Sequence, residues 1–226
     1  MAPPAANGLD APLSQFSAAR AAAVLEALIE GTPHPVGSPA NAAVRGRLLA
    51  KLTDLGYQTE IQTAFACNDG GVCAEVHNVL ARRAGPEAGP LVLLMSHYDS
   101  VGAGPGASDD GLGTAALLET ARVLASQTPT RNPLLFLITD GEEPGLLGAQ
   151  AFVLGHRLAG QVAVVVNLEA RGTSGPSLLF ETSGPSNGWL VRQAAALPRP
   201  ATSSVFAAIY DRLPNDTDLS VFKRRG

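Results

Sequence analysis

Three short apolar runs mark the middle of the chain: LVLLM at 91–95, LLFLIT at 134–139 and VAVVVNL at 162–168. Strands that alternate apolar and polar residues bury one face, whereas near-continuous runs of this length belong to strands covered on both faces of a parallel sheet. Between them, LGTAALLETARVLAS (112–126) and LLGAQAFVLGHRL (146–158) repeat apolar residues at helical spacing. Strand, helix, strand, helix, strand in this order predicts right-handed βαβ units in an α/β fold, a three-layer αβα sandwich with a mostly parallel central sheet.

The flanks add further elements. FSAARAAAVLEALIEG (16–31) is helically periodic and stops at Gly31, and a second helix is expected from Ser38 as cap and Pro39 at the first helical position through to Gly56. The preceding 1–13, rich in Pro and small residues, read as a loose lead-in to a single domain over 14–226. YQTEIQTAF (57–65) and AEVHNVLARR (74–83) read as strands, SLLFET (177–182) and VFAAIY (205–210) as further strands, and 189–197 and 218–225 as helices. Cys67 and Cys73 flank the turn-like NDGGV, either bridged across a small loop, which implies an oxidising compartment, or unpaired beside a turn; spacing leaves both open.

Composition narrows the function classes. At 46% hydrophobic residues the 226-residue chain has apolar material for a large core, which excludes a disordered segment. The net charge is -4 and the lysines are Lys51 and Lys223 alone, so there is no electrostatic footprint for nucleic acid or anionic lipid. No apolar run reaches the length of a membrane span and the first residues lack the order of a signal peptide, so no membrane contact is expected within this chain.

The chemistry clusters where the strands end. The first central run leads into His97 and Asp99, the second into Asp140, Gly141, Glu142 and Glu143, and the third into Glu169. Ser108, Asp109, Asp110 and Gly111 stand just before the 112–126 helix, after a Gly/Pro-rich loop. Open parallel sheets place sites beyond the C-terminal strand ends, so these clusters should meet on one rim. Each has a plain alternative: His97 as a structural histidine, Asp109 and Asp110 as caps, Glu142 and Glu143 as helix-start acids. Together they would repel one another unless a cation neutralised them. Carboxylates with imidazole suit catalytic zinc, or cobalt or manganese, and several carboxylates can hold two ions. One of Glu142 and Glu143 would then serve as base and the other as ligand.

HYDSVGAGPGASDDGLG, ITDGEEPGLLGAQAF and NLEARG, in this order, resemble the co-catalytic zinc aminopeptidases of the bacterial leucyl aminopeptidase and aminopeptidase Y type. PHPVGSPAN and PNDTDLSVFKRRG resemble its endoplasmic reticulum metallopeptidase branch. The resemblance implies a zinc-exopeptidase fold and hydrolysis of N-terminal peptide bonds by metal-activated water. It makes His97, Asp109, Glu143 and Glu169 metal ligands, Asp99 the carboxylate that orients His97, and Glu142 the general base, with a cis peptide after Asp109. The family completes its second zinc with a histidine beyond Gly226, so the resemblance implies a catalytic domain lacking its C-terminal part and holding one or two zinc ions. His34, His77 and His156 lie outside the motif.

The expected partner is a peptide or protein N-terminus. Glu181, Asp216 and Asp218 are candidates to meet an α-amino group, whereas Arg171 would favour a carboxylate, leaving amino- and carboxypeptidase specificity open. Two other readings remain: a glutaminyl-cyclase-like acyltransferase with one zinc, and a non-catalytic interaction domain on the peptidase fold. Relatives of the branch imply an extracytoplasmic or membrane-tethered full-length protein.

Overall fold

Helices cover both faces of one sheet, which is why its central strands carry no polar alternation. The computed structural model describes residues 5–83, 85, 89–170, 172, 175, 177–183, 187–197, 201, 203–210, 212–213 and 216–225. Helices α1 (Ala18–Ile29) and α2 (Pro39–Asp54) precede a hairpin of β1 (Gln58–Cys67) and β2 (Cys73–Arg82). Then come β3 (Leu91–His97), α3 (Leu112–Ala125), β4 (Leu134–Thr139), α4 (Leu147–Gly155) and β5 (Val162–Asn167), and finally α5 (Gly188–Ala195), α6 (Ser204–Tyr210) and α7 (Asp218–Arg225).

The strand order is β1-β2-β4-β3-β5. β3 runs parallel to β4 and β5, while β2 pairs antiparallel with both β1 and β4. Side chains of β4 divide by parity. Leu134, Phe136 and Ile138 join the core beneath α1, α2 and α3, whereas Leu135 and Leu137 pack with Phe152 and Val153 of α4 and Val221 of α7. The pleat sends successive residues to opposite faces, so a strand sandwiched in this way must be apolar throughout.

The second helix starts as its sequence predicts, with Ser38 as cap, whereas the first starts at Ala18, two residues inside the expected 16–31, with Ser17 as its cap. Ser17 Oγ accepts the N–H of Arg20 at 3.1 Å and Ser38 Oγ that of Asn41 at 3.0 Å. Residues 5–16, the described part of the expected lead-in and the three residues after it, form no helix or strand but are fastened to the helices: Arg20 donates to the carbonyls of Leu9, Ala11, Pro12 and Gln15, and Arg122 to those of Leu13 and Gln15. Buried Glu119 orients both guanidinium groups and also accepts the N–H of Ser17 at 2.9 Å.

Two expected strands are absent. Within 177–182 only Leu179 forms a bridge, its N–H donating to the Ala201 carbonyl at 3.0 Å, and 205–210 lies in α6. Phe206 and Tyr210 both reach the ring of Phe180, with centroids 6.3 and 5.5 Å away. A helix brings residues four apart over one ring; a strand would separate them by about 13 Å. The expectation of strands fails because these residues pack on one another through the Phe180 ring, with Leu178, Val205 and Ile209 left exposed, instead of entering a buried sheet.

Candidate metal centre and active site

The parallel pairing places the ends of β3, β4 and β5 on one rim, with His97 in register with Thr139 and Met95 with Asn167. Beyond these ends the chain must turn, and the turns carry the acids. Imidazole Nε2 of His97 lies 3.1 Å from Asp109 Oδ1 and 3.9 Å from Glu169 Oε1. One donor atom from each of His97, Asp109 and Glu169 lies within 4.8 Å of the others. A buried imidazole facing two carboxylates is a nitrogen and oxygen donor set that suits a divalent transition ion such as zinc. Glu142 and Glu143 line the same cleft of about 510 Å³ with Asp109 and Glu169.

Asp109 and Asp110 turn in opposite directions. The short segment Ala107–Gly111 is irregular at both residues and holds a cis peptide between them. Asp109 faces the cleft, its side chain 56% exposed. Asp110 is buried, where it accepts the N–H of Gly113 in the first turn of α3 at 3.1 Å and that of His97 at 3.4 Å. Asp110 thus caps the start of α3, and Asp109 is left facing the cleft as a candidate metal ligand.

On the other side of the imidazole, His97 Nδ1 lies 3.4 Å from Asp99 Oδ1 and 3.1 Å from the Asp99 carbonyl oxygen. The two Asp99 carboxylate oxygens also accept the N–H groups of Glu142, at 3.0 Å, and Glu143, at 3.2 Å. Asp140 is structural, accepting from Asn41 Nδ2 and the His77 N–H, each at 2.9 Å.

The electrostatics reflect this crowding. Burial pushes Glu142 from 4.5 up to about 9, opposed by His97 and reinforced by Asp218, Glu169 and Asp99. Burial likewise raises Glu169 to about 7, again opposed by His97 and reinforced by Asp109. Burial raises Glu143 and Asp110 as well. For His97 burial acts downward, but hydrogen bonds to Asp109 and Asp99 and the nearby carboxylate charges outweigh it and hold the imidazole well above 6.5. Acids that retain protons around an imidazole that does the same are groups whose charge a cation would stabilise.

The candidate substrate residues separate. Asp216 lines the cleft and pairs with Arg224 at 3.0 Å. Asp218 is buried at the start of α7, with Oδ2 in contact with the Thr139 hydroxyl and Oδ1 without a hydrogen-bond partner. Glu181 is held by Thr217 at 2.7 Å, Ser220 at 3.1 Å and Lys223 at 3.0 Å, beside a second cavity of about 250 Å³. Arg171 lies outside the described residues. The remaining histidines have local partners: His34 is buried against the Thr32 carbonyl and Ser100, His77 meets Thr63 and Glu75, and His156 stacks on Phe152 beside Glu60.

A wall of the cleft went unnoticed in the sequence. Asn68, Asp69 and Gly70 line it, presented by the tip of the β1–β2 hairpin, and a Cys67–Cys73 disulfide closes that tip. The two cysteines and the NDGG turn were the available signal; which cleft they would border depends on the hairpin's position in the sheet.

The profile of peptidase family M28 matches residues 78–226, well over half of the sequence and including every rim residue described above. The chain belongs to peptidase family M28. It is 34% identical to the vacuolar membrane protease of Candida albicans over 86% of this chain and 23% of that protein. It is 36% identical to endoplasmic reticulum metallopeptidase 1 of Mus musculus over 65% of this chain and 16% of that protein. This M28 chain thus spans less than a quarter of the length of these curated relatives. Its fold is similar to that of a glutaminyl cyclase of Porphyromonas gingivalis, with a TM-score of 0.77 and 25% identity over 95% of this chain and 80% of that one. It is also similar to that of a Zn-dependent exopeptidase from Parabacteroides distasonis, with a TM-score of 0.74 and 20% identity over 93% of this chain and 81% of that one. No helix among the described residues is long and apolar enough to cross a membrane.

Proposed function

We propose that this chain carries the catalytic centre of a zinc-dependent exopeptidase that cleaves residues from peptide N-termini. The observation that carries this reading is the meeting of His97, Asp109 and Glu169 on one rim, with Glu142 and Glu143 in the same cleft. His97, Asp109 and Glu169 would hold the ion, with Glu143 and Asp109 as ligands of any second one. Zinc bound there would supply Lewis acidity to a peptide carbonyl and a water of lowered pKa. Glu142 takes the proton of the attacking water at its carboxylate and returns it to the leaving amine nitrogen. Asp99 holds the His97 imidazole from the Nδ1 side.

The charge of the cleft favours an N-terminus over a C-terminus. Among the described residues, Asp69 and Asp216 line it beyond the metal-facing acids, and the lining cation, Arg224, is paired with Asp216. Such a surface attracts an ammonium group and repels a carboxylate. The vacuolar membrane named for one curated relative supports a full-length protein tied to a membrane, and the endoplasmic reticulum named for the other, with the Cys67–Cys73 bridge, supports a site in an oxidising compartment.

A second reading, a glutaminyl-cyclase-like acyltransferase with one zinc, is favoured by the likeness to the Porphyromonas gingivalis enzyme and by the single three-donor group among the described residues. Zinc-loaded protein incubated with aminoacyl anilides and with a peptide bearing N-terminal glutamine separates the two. Released aniline supports the exopeptidase; cyclised peptide without aniline overturns it in favour of the cyclase.

A further inference from the structure

We propose that Asn68 is a positioning residue for the turn carrying Glu142 and Glu143, and that the disulfide-closed hairpin tip is the arm that presents it. The consequence for catalysis rests on the role given above to those two glutamates; the mechanical link does not.

The turn has an unusual backbone. Gly141, Gly145 and Leu146 have φ of 69°, 127° and 62°, so three of its positions lie in the left-handed region. Its internal bonds all converge on its entry, with Gly145 and Leu146 donating to the Glu142 carbonyl at 2.8 and 2.7 Å and Leu147 to that of Gly141 at 2.8 Å. Neighbours therefore decide where the glutamates point. Asp99 holds the entry through the N–H groups of Glu142 and Glu143. Asn68 holds the exit: its Nδ2 donates to the Pro144 carbonyl at 2.9 Å.

The amide orientation follows from its other end. Asn68 Oδ1 accepts the N–H of Val72 at 3.0 Å within the tip, so its NH2 is the half left to face Pro144. The contact is close, because a Cβ at Gly145 would lie 2.2 Å from Nδ2. On the hairpin side the arm is tied by the Asn68 N–H to the Val72 carbonyl at 2.9 Å, the Gly71 N–H to the Asn68 carbonyl at 3.0 Å and the adjacent disulfide. Asn68 is only half-buried and belongs to no core cluster, so its side chain should govern the turn and leave global stability largely alone.

Asn68→Asp tests this, since the carboxylate keeps an acceptor for Val72 but sets an oxygen against the Pro144 carbonyl. In metal-free protein, hydrogen exchange of the 145–147 amides should quicken about tenfold while exchange in β3 and β4 and the melting temperature hold. In zinc-loaded protein kcat should fall about 10- to 100-fold with KM little changed. Wild-type protein treated with a phosphine reductant, which opens the bridge, should show faster exchange at the same amides. Unchanged exchange under both treatments overturns the proposal. Faster exchange in a protein that turns over no substrate at all would uphold the mechanical link and sink the peptidase reading.

Discussion

Asp99 Oδ1 accepts the backbone N–H of Glu142 at 3.0 Å while standing 3.4 Å from Nδ1 of His97. A single carboxylate thereby sets the distance between a candidate metal ligand and a candidate base that are far apart in sequence. Asp99→Asn retains one acceptor oxygen and replaces the other with an NH2 that opposes an N–H. Zinc affinity should drop about 10- to 100-fold, as losses of this kind do for ligand-orienting groups. Competition with a chromogenic chelator measures it, and an unchanged affinity would remove Asp99 from the site.

Glu142 and Glu143 should separate by their effects. Glu142→Gln preserves shape but removes the proton acceptor, so turnover should fall about 10²- to 10⁴-fold with zinc content retained. Glu143→Ala should lose zinc affinity as well as rate. Zinc analysis of the dialysed variants beside anilide hydrolysis checks both; near-normal turnover by Glu142→Gln would end its assignment as base.

Asp218 predicts a pH dependence. Burial raises its carboxyl from 3.8 to about 6, and Oδ1 has no hydrogen-bond partner. The folded state then binds this proton more tightly than the unfolded chain, so its contribution is fully present below about pH 4 and is lost as pH rises through about 6. In metal-free protein, Asp218→Asn should raise stability at pH 8 by up to about 3 kcal/mol and change little at pH 4. Urea midpoints at the two pH values decide it; equal shifts at both would show that the effect is not titration.

Glu119 predicts the opposite sign. Burial would raise its pKa, but hydrogen bonds from Arg122, the Ser17 N–H and Arg20 outweigh it and lower the value. Its contribution is therefore present above the unfolded carboxylate pKa and is lost as pH falls through the folded one. Glu119→Ala, which leaves both arginines and the Ser17 N–H without this acceptor, should cost about 2–3 kcal/mol in thermal or urea unfolding at pH 7. A loss below about 0.5 kcal/mol would mean that surface water replaces the carboxylate.

Much of this architecture can be read along the chain because its causes are local or periodic. LLFLIT lacks polar positions because Phe136 and Leu137 face different helical layers, and Ser38 followed by Pro39 is a helix start wherever it is placed. His97, Asp109, Glu142 and Glu169 could be expected on one rim because parallel strands share a direction and each of these residues follows a strand or precedes a helix. The same one-dimensional pattern could not tell α6 from a strand, since the packing of Phe206 and Tyr210 on Phe180, a tertiary contact, determines the form. Nor could it show that Asp109 faces the cleft while its neighbour caps α3, that Asp218 is buried against Thr139 and Glu181 is held by Lys223, or that Asn68 reaches Pro144 across 76 residues. Those contacts join segments distant in sequence, and only the packing of the sheet and its helices brings them within hydrogen-bonding distance.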